Sequence, residues 1–258
     1  FKPKYKKGFT YTSTGEFSET YKLRDDSIPV SVFCLKADVA SSEGANNVEL
    51  VRFYNDVCPY VHPAAGSDKR VRWGIDGLPI VVFWQNTDTG MVKFHGKYNA
   101  NNDKSTAETY GLTDGCESWE VCNNTSDRVI FKKSDYGDGW TGDFEARYPE
   151  DNLDYTNLKR LTDWLVSTDR SAVDTDEEKA ARLEKFKMEF EDYFVKEPTL
   201  FYYLFTEVFL MVDSRAKNFF PSTYDGIHWL PLPYDMDTAL GINNEGALVF
   251  DYDLEDTD

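Results

Sequence analysis

The chain has 258 residues, of which 41% are hydrophobic and 16% aromatic, enough for one large core or two lobes of ordinary domain size. Its formal net charge of -18 repels the phosphates of nucleic acids and anionic lipids, so a metal ion or a cationic partner fits better. No stretch approaches the ~20 apolar residues of a membrane span, and the first residues lack the apolar core of a signal peptide.

The ends and the cysteines give two further expectations. The chain starts at Phe1 rather than Met and stops without a closing element, so we expect a fragment of a longer polypeptide. The four cysteines and three histidines are scattered, which argues against a zinc site. We expect reduced thiols, because a chain with this much core needs no disulfides. The alternative is a bridge between Cys116 and Cys122 across a loop.

Strand signals dominate the first half of the chain. Residues 30–36 alternate partly, and residues 78–84 form a continuous apolar run that is typical of a buried strand. Between them, residues 46–54 carry apolar side chains at roughly helical spacing, which predicts one short helix. We therefore place a sheet-rich small lobe at residues 1–150.

The apolar period becomes helical from Asn152 onward. Two stripes predict two helices: Leu153, Leu158, Leu161, Trp164 and Leu165 in the first, and Leu183, Phe186, Phe190 and Phe194 in the second. Thr175 and Glu178 match a capping box, which predicts the start of the second helix, and Pro198 predicts its end. We place a helical lobe at residues 151–258.

A third helix is predicted over residues 199–212, and it leads directly into Asp213. Its predicted buried face consists of Leu200, Tyr203, Leu204, Val208 and Met211. Beyond it, residues 219–220 and 228–232 flank the turn signal Asp225-Gly226 and predict a hairpin. Asp235 and Asp237 follow this hairpin.

The order of these polar residues is that of a phosphoryl-transfer site. Asp213 and Asn218 stand five positions apart, as do the base and the metal-binding amide in the catalytic loop of protein kinases. Such a reaction needs a carboxylate for the acceptor and oxygen ligands for Mg²⁺, which Asn218, Asp235 and Asp237 offer. Each residue alone is more often a cap or turn former, but their order favours a kinase-like metal site.

Several motifs resemble the spore-coat kinase family CotH. They are residues 33–47, residues 96–98 with 102–104, and residues 230–237 with Gly241. More narrowly, four segments look like the CotH-like domains of large bacteriophage structural proteins: residues 94–104, 117–120, 144–149 and 235–245. The resemblance covers most of the chain.

The resemblance implies an α+β, two-lobed atypical protein-kinase fold, with ATP between a sheet-rich N-terminal lobe and a helical C-terminal lobe. It implies that Asp213 is the catalytic aspartate, that Asn218 is a metal ligand, and that Asp235 or Asp237 is the metal-binding aspartate. Mg²⁺ or Mn²⁺ is the implied metal.

The resemblance also requires a lysine for the ATP phosphates on a strand of the small lobe. Lys132 is the candidate, with Lys133 as the alternative, and Glu145 is the candidate partner of that lysine. Three lysines inside the motifs are left out of the predicted site as charge-balancing surface residues: Lys36, Lys97 and Lys104. No Gly-x-Gly-x-x-Gly loop is present, and residues 89–96 are the nearest equivalent.

Three functions remain open at this point. The first is an active kinase that transfers phosphate to a protein acceptor. The second is a catalytically silent virion protein, such as a tail appendage, that contacts other virion proteins or forms a homo-oligomer. The third is a metal-stabilised binding module. The phage virion is the expected location, with the bacterial cytoplasm as the alternative.

Overall fold

Two antiparallel sheets and five α-helices make up the described part of the chain, which is therefore an α+β protein. The structure is a computed structural model that describes most of the chain. The described ranges are residues 20–30, 32–38, 44–58, 62–63, 68–104, 107–121, 144–211, 214–215, 218–243 and 245–248. No helix within these ranges is long and apolar enough to cross a membrane.

The first sheet has the strand order β1-β3-β2. Its strands are β1 (Phe33–Lys36), β2 (Gly77–Gln85) and β3 (Val92–Asn102), and helix α1 (Asn46–Val57) packs against β2 and β3. These elements confirm the positions of the predicted strands and of the short helix. The predicted burial of residues 78–84 is wrong: Val81, Phe83 and Trp84 are 56% to 58% exposed, because β2 is an edge strand that pairs only with β3. Because β1 pairs with only the last four residues of β3, the rest of the β2–β3 hairpin extends as a two-stranded ribbon.

The second sheet has the strand order β5-β4-β6-β7. Its strands are β4 (Glu117–Val121), β5 (Phe144–Tyr148), β6 (Phe219–Thr223) and β7 (Trp229–Pro233). The last two form the predicted hairpin. Two strands of this sheet precede residue 150 and two follow it, so the sheet uses both halves of the chain. The division into lobes at residue 150 stays a prediction.

Four more α-helices follow α1 along the chain. They are α2 (Ala107–Tyr110), α3 (Thr156–Thr168), α4 (Asp176–Tyr193) and α5 (Lys196–Val208), with a short 3₁₀ helix at Arg170–Ala172. The capping box is confirmed, because the Glu178 amide donates to Thr175 Oγ1 at 3.2 Å and the Thr175 hydroxyl donates to Glu178 at 2.7 Å.

The prediction that Pro198 ends α4 is wrong. Helix α4 stops at Tyr193, and Pro198 lies in the first turn of α5. A proline is tolerated there because the first amides of a helix have no acceptor within the helix.

The predicted buried face of α5 is also wrong. Tyr202 and Phe205 are buried, whereas four of the predicted residues are 48% to 71% exposed: Leu200, Tyr203, Leu204 and Val208. The apolar side chains of α5 occur on most sides of the helix, so their spacing in the sequence does not show which face is buried. The choice comes from α1, whose Tyr54 ring lies 5.1 Å from that of Phe205. Met211 is buried as predicted.

One continuous hydrophobic core joins elements from both halves of the chain. Tyr54 of α1, Trp119 of β4, Leu161 of α3, Phe205 of α5 and Trp229 of β7 all belong to it, and each is at most 4% exposed. Because α1 is fixed to this core, its N-terminus lies beside the segment that follows β7.

The turn between β6 and β7 is held by Asp225. Its Oδ1 accepts from the amides of Ile227 and His228 at 2.8 Å, and its Oδ2 lies 2.6 Å from His228 Nδ1. Burial raises the pKa of Asp225, but the hydrogen bonds from His228, Ile227 and Thr223 outweigh burial and lower the pKa to about 2.

Asp225 should therefore stabilise the protein in a pH-dependent way. The ordinary pKa of an aspartate is near 3.8, so the contribution is complete above about pH 4 and is lost as the pH falls toward 2. We expect Asp225→Asn to cost less than ~1 kcal/mol, since the pair is half exposed. In urea titrations, the difference in free energy of unfolding between the wild-type protein and Asp225→Asn should become smaller as the pH is lowered from 4 to 2. A difference that stays constant over this range would contradict the assignment.

Candidate functional site

Three distant segments meet at the carboxylate of Asp235, just after β7. The Lys36 ammonium, at the end of β1, lies 2.5 Å from Asp235 Oδ2. The side-chain amide of Asn47, at the start of α1, donates through Nδ2 to Asp235 Oδ1 at 2.7 Å. Its Oδ1 accepts from the main-chain amide of Met236 at 3.2 Å. This clamp fixes the direction of the Asp235 side chain between the two sheets.

Two lysines flank Tyr234, the residue before the clamp. The ammonium of Lys36 lies 5.1 Å and that of Lys104 5.4 Å from the centre of the Tyr234 ring. Lys104 pairs with Glu120 of β4 at 2.7 Å. Burial, and then the carboxylates of Asp235 and Glu120, raise the pKa of Tyr234 well above its ordinary value, so the phenol stays neutral. Two cations beside carboxylates form a surface that suits a phosphate with its metal.

Asn218 lies directly behind this surface. Its main-chain oxygen accepts from the amides of Tyr234 at 3.0 Å and Asp235 at 3.4 Å, and its φ of 61° is in the left-handed region that Asn tolerates. Asp237, half-buried, follows two residues after Asp235. The structure thus brings Asn218 close to the segment that carries both aspartates.

Asp213, Lys132 and Lys133 lie outside the described residues. Glu145 lies on β5 with a side chain that is 57% exposed, and it pairs with Arg147 at 2.5 Å. Its pairing with Lys132 stays a prediction.

Three residues around Tyr234 and Asp235 are absent from the predicted site: Lys36 and Asn47 of the clamp, and Lys104 beside Tyr234. All three lie inside the motifs on which the CotH resemblance rests. Their place in these motifs is the one sequence feature that could have identified them as site residues. Spacing could not have found them, because Lys36 and Asp235 are separated by 199 residues and meet only in the folded chain.

The carboxylates that the sequence predicts for a magnesium ion are Asp237 and Asp235, and the two oxygens of Asp235 accept from Lys36 and Asn47 in this structure. Mg²⁺ keeps several waters and needs only one or two protein carboxylates beside the phosphate oxygens. Asp235 and Asp237 offer these carboxylates, and Lys36 and Lys104 offer charge for the phosphates. No group of three or more His, Cys, Asp or Glu side chains that could hold a metal occurs in the described ranges, so a dedicated protein cage is not present in that part of the chain.

Comparison of the chain with models of protein families and with curated protein sequences finds no match. The function must therefore be argued from the geometry of the clamp.

Proposed function

We propose that this chain is a CotH-like domain with a two-lobed kinase fold that binds Mg-ATP and transfers phosphate to a protein acceptor. The observation that carries the proposal is the clamp at Asp235, where Lys36 and Asn47 of the first sheet and α1 hold a carboxylate of the segment after β7. A lysine and an aspartate that meet between two sheets are the two kinds of group that phosphoryl-transfer sites use, the lysine for the phosphates and the aspartate for the metal.

Each residue has a separate role in this proposal. Bound Mg-ATP supplies the transferable phosphoryl group and the metal that neutralises its charge. Lys36 and Lys104 hold the phosphates, and Asp235 and Asp237 hold the metal. Asp213 orients the acceptor hydroxyl and takes its proton. Lys36 is preferred to Lys132 for the phosphates because its ammonium already contacts Asp235.

Thermal unfolding with ATP, with and without Mg²⁺, tests the proposal. A ligand present at about one hundred times its Kd should raise the melting temperature of a protein of this size by roughly 5 to 10 °C. We expect this rise to need both ATP and Mg²⁺, and to disappear in Lys36→Met, which loses the charge but keeps the length of the side chain.

Lys159→Met is the matched control. Lys159 lies on α3 and pairs with Asp163 at 2.6 Å on the exposed surface, so this variant should keep the full shift with Mg-ATP. No shift at millimolar ATP in the wild-type protein would sink the proposal.

One observation favours the second candidate, a silent virion protein that serves assembly. The β2–β3 ribbon exposes large apolar side chains, each at least 51% exposed: Val81, Phe83, Trp84, Met91, Val92 and Phe94. Exposed apolar groups of this density are typical of surfaces that contact another protein. Location in a phage virion belongs to this candidate and is compatible with the first.

A further inference from the structure

An apolar cavity of about 170 Å³ lies between α5 and the hairpin of β6 and β7. Tyr202, Phe219 and Leu230 line its inner part, and each of them is at most 6% exposed. Tyr203, which is 51% exposed, and Arg215, whose side chain is 29% exposed, line its outer part. The cavity therefore opens to solvent on the side of Tyr203 and Arg215.

Two polar side chains of the cavity wall, Thr199 and Arg215, already bond within the protein. The Thr199 hydroxyl donates to the main-chain oxygen of Val195 at 2.7 Å. Arg215 pairs with Glu207 at 2.5 Å, and its guanidinium lies 5.1 Å from the centre of the Tyr203 ring. These bonds leave the interior of the cavity to apolar groups, so it suits an apolar occupant.

The volume of the cavity sets the size of that occupant. A cavity of about 150 Å³ lined by apolar side chains stays dry and holds a benzene ring. This cavity therefore has room for a single aromatic ring. Its wall includes the rings of Phe194, Tyr202 and Phe219, which offer the edge and face contacts that aromatic groups prefer.

The cavity also borders the loop on which the proposed function depends. The Tyr202 hydroxyl donates to the main-chain oxygen of Ser214 at 2.5 Å, and Ser214 directly follows Asp213 in the sequence. Phe219, on the wall of the cavity, directly follows Asn218. The cavity wall thus adjoins both ends of the loop between Ser214 and Asn218.

We propose that this cavity binds one aromatic side chain of the protein acceptor. The assignment to an acceptor rests on the proposed function, in which Asp213 takes the proton of the acceptor hydroxyl. A polypeptide would also cover Leu200 and Leu204, which are 48% and 59% exposed on α5 beside Tyr203. A free aromatic molecule would leave these side chains exposed to water, so the surface favours a polypeptide.

Titration with N-acetyl-phenylalanine amide, in the absence of nucleotide, tests the cavity itself. This probe presents an aromatic side chain with the peptide groups of a polypeptide on both sides. We expect it to shift the methyl signals of Thr199 and Leu230 in NMR spectra, whereas N-acetyl-alanine amide at the same concentration should leave them unchanged. Unshifted signals at the solubility limit of the phenylalanine probe would overturn the proposal. Because no ATP is present, this outcome is distinct from a failure of the Mg-ATP test.

Two variants locate the probe. Thr199→Phe places a ring of the protein in the cavity, and Tyr203→Ala removes part of its outer wall, so each should weaken binding of the phenylalanine probe about fivefold or more. Tyr203 is half exposed, so its variant should fold even if Thr199→Phe does not. Phe83→Ala is the matched control, because Phe83 is 58% exposed on the ribbon and outside the cavity, and it should keep the wild-type affinity. Equal weakening in Phe83→Ala and Tyr203→Ala would assign the probe to exposed aromatic groups in general and overturn the proposal.

Peptides with a single serine test the role of the occupant. Phenylalanine is placed at each position around the serine in turn, and a matched peptide carries alanine at the same position. We expect Mg-ATP-dependent phosphorylation to be about tenfold faster with phenylalanine at one of these positions, and Tyr203→Ala should remove this preference. Equal rates of phosphorylation with phenylalanine and alanine at every position would overturn the role in acceptor binding.

Discussion

Asp235→Asn is expected to reduce phosphate release from Mg-ATP about 100- to 1,000-fold, which is the usual cost of removing one preorganised polar group from an active site. The substitution keeps the shape of the side chain and the hydrogen bond from Asn47, but it removes the charge that faces Lys36 at 2.5 Å. The affinity for Mg-ATP, measured by calorimetry, should fall together with the rate.

The fold should survive this substitution. Asp235 and Lys36 have side chains that are only 17% and 27% exposed, so Lys36 loses a partly buried partner and the melting temperature should fall by several degrees, while the core of the second sheet stays intact. Asp163→Asn, on the exposed face of α3, is the control and should leave both rate and affinity unchanged. Wild-type affinity and rate in Asp235→Asn would remove Asp235 from the site.

Trp119→Ala is expected to cost about 3 to 5 kcal/mol of the free energy of unfolding, the largest effect on stability that we predict. Trp119 is 0% exposed at the centre of the second sheet, and its ring lies 4.8 Å from that of Tyr155. The empty volume left by an indole is not filled easily, because the surrounding core residues belong to the second sheet and to several helices that would have to move together. The melting temperature should fall by roughly 10 °C.

This variant also tests whether the two predicted lobes unfold separately. The core is one cluster that includes α1 from the first half of the chain and α5 from the second, so we expect a single transition that shifts as a whole. Trp84→Ala, at a 58% exposed position on the ribbon, is the matched control and should change stability by less than ~0.5 kcal/mol. Two separate transitions in Trp119→Ala would favour two independent units.

The local elements of this fold could be predicted because their signals are local. The capping box at Thr175 acts within one turn of helix, and the turn signal Asp225-Gly226 acts within four residues, so neighbours in the sequence suffice to define them. Pro198 shows the limit of such signals. Proline is unfavourable inside a helix but acceptable in its first turn, and the sequence does not say which of two adjacent helices contains it.

The candidate site was predictable only in part. Acidic and amide groups at 213, 218, 235 and 237 stand in an order that is typical of phosphoryl transfer, and the structure places Asn218 against the segment of Asp235. The roles of these residues remain predictions. Their partners were not predictable, because Lys36 resembles any surface lysine of an acidic protein until the fold brings it to Asp235.

The amino-acid pattern decided the α+β class, the start of α4, the hairpin and the order of the acidic groups, since each depends on residues close together in the chain. Tertiary packing decided which face of α5 is buried and which lysine meets Asp235. Those outcomes depend on contacts between residues far apart in sequence. The burial and the partners of such a side chain are set by the surface it packs against and not by its neighbours along the chain.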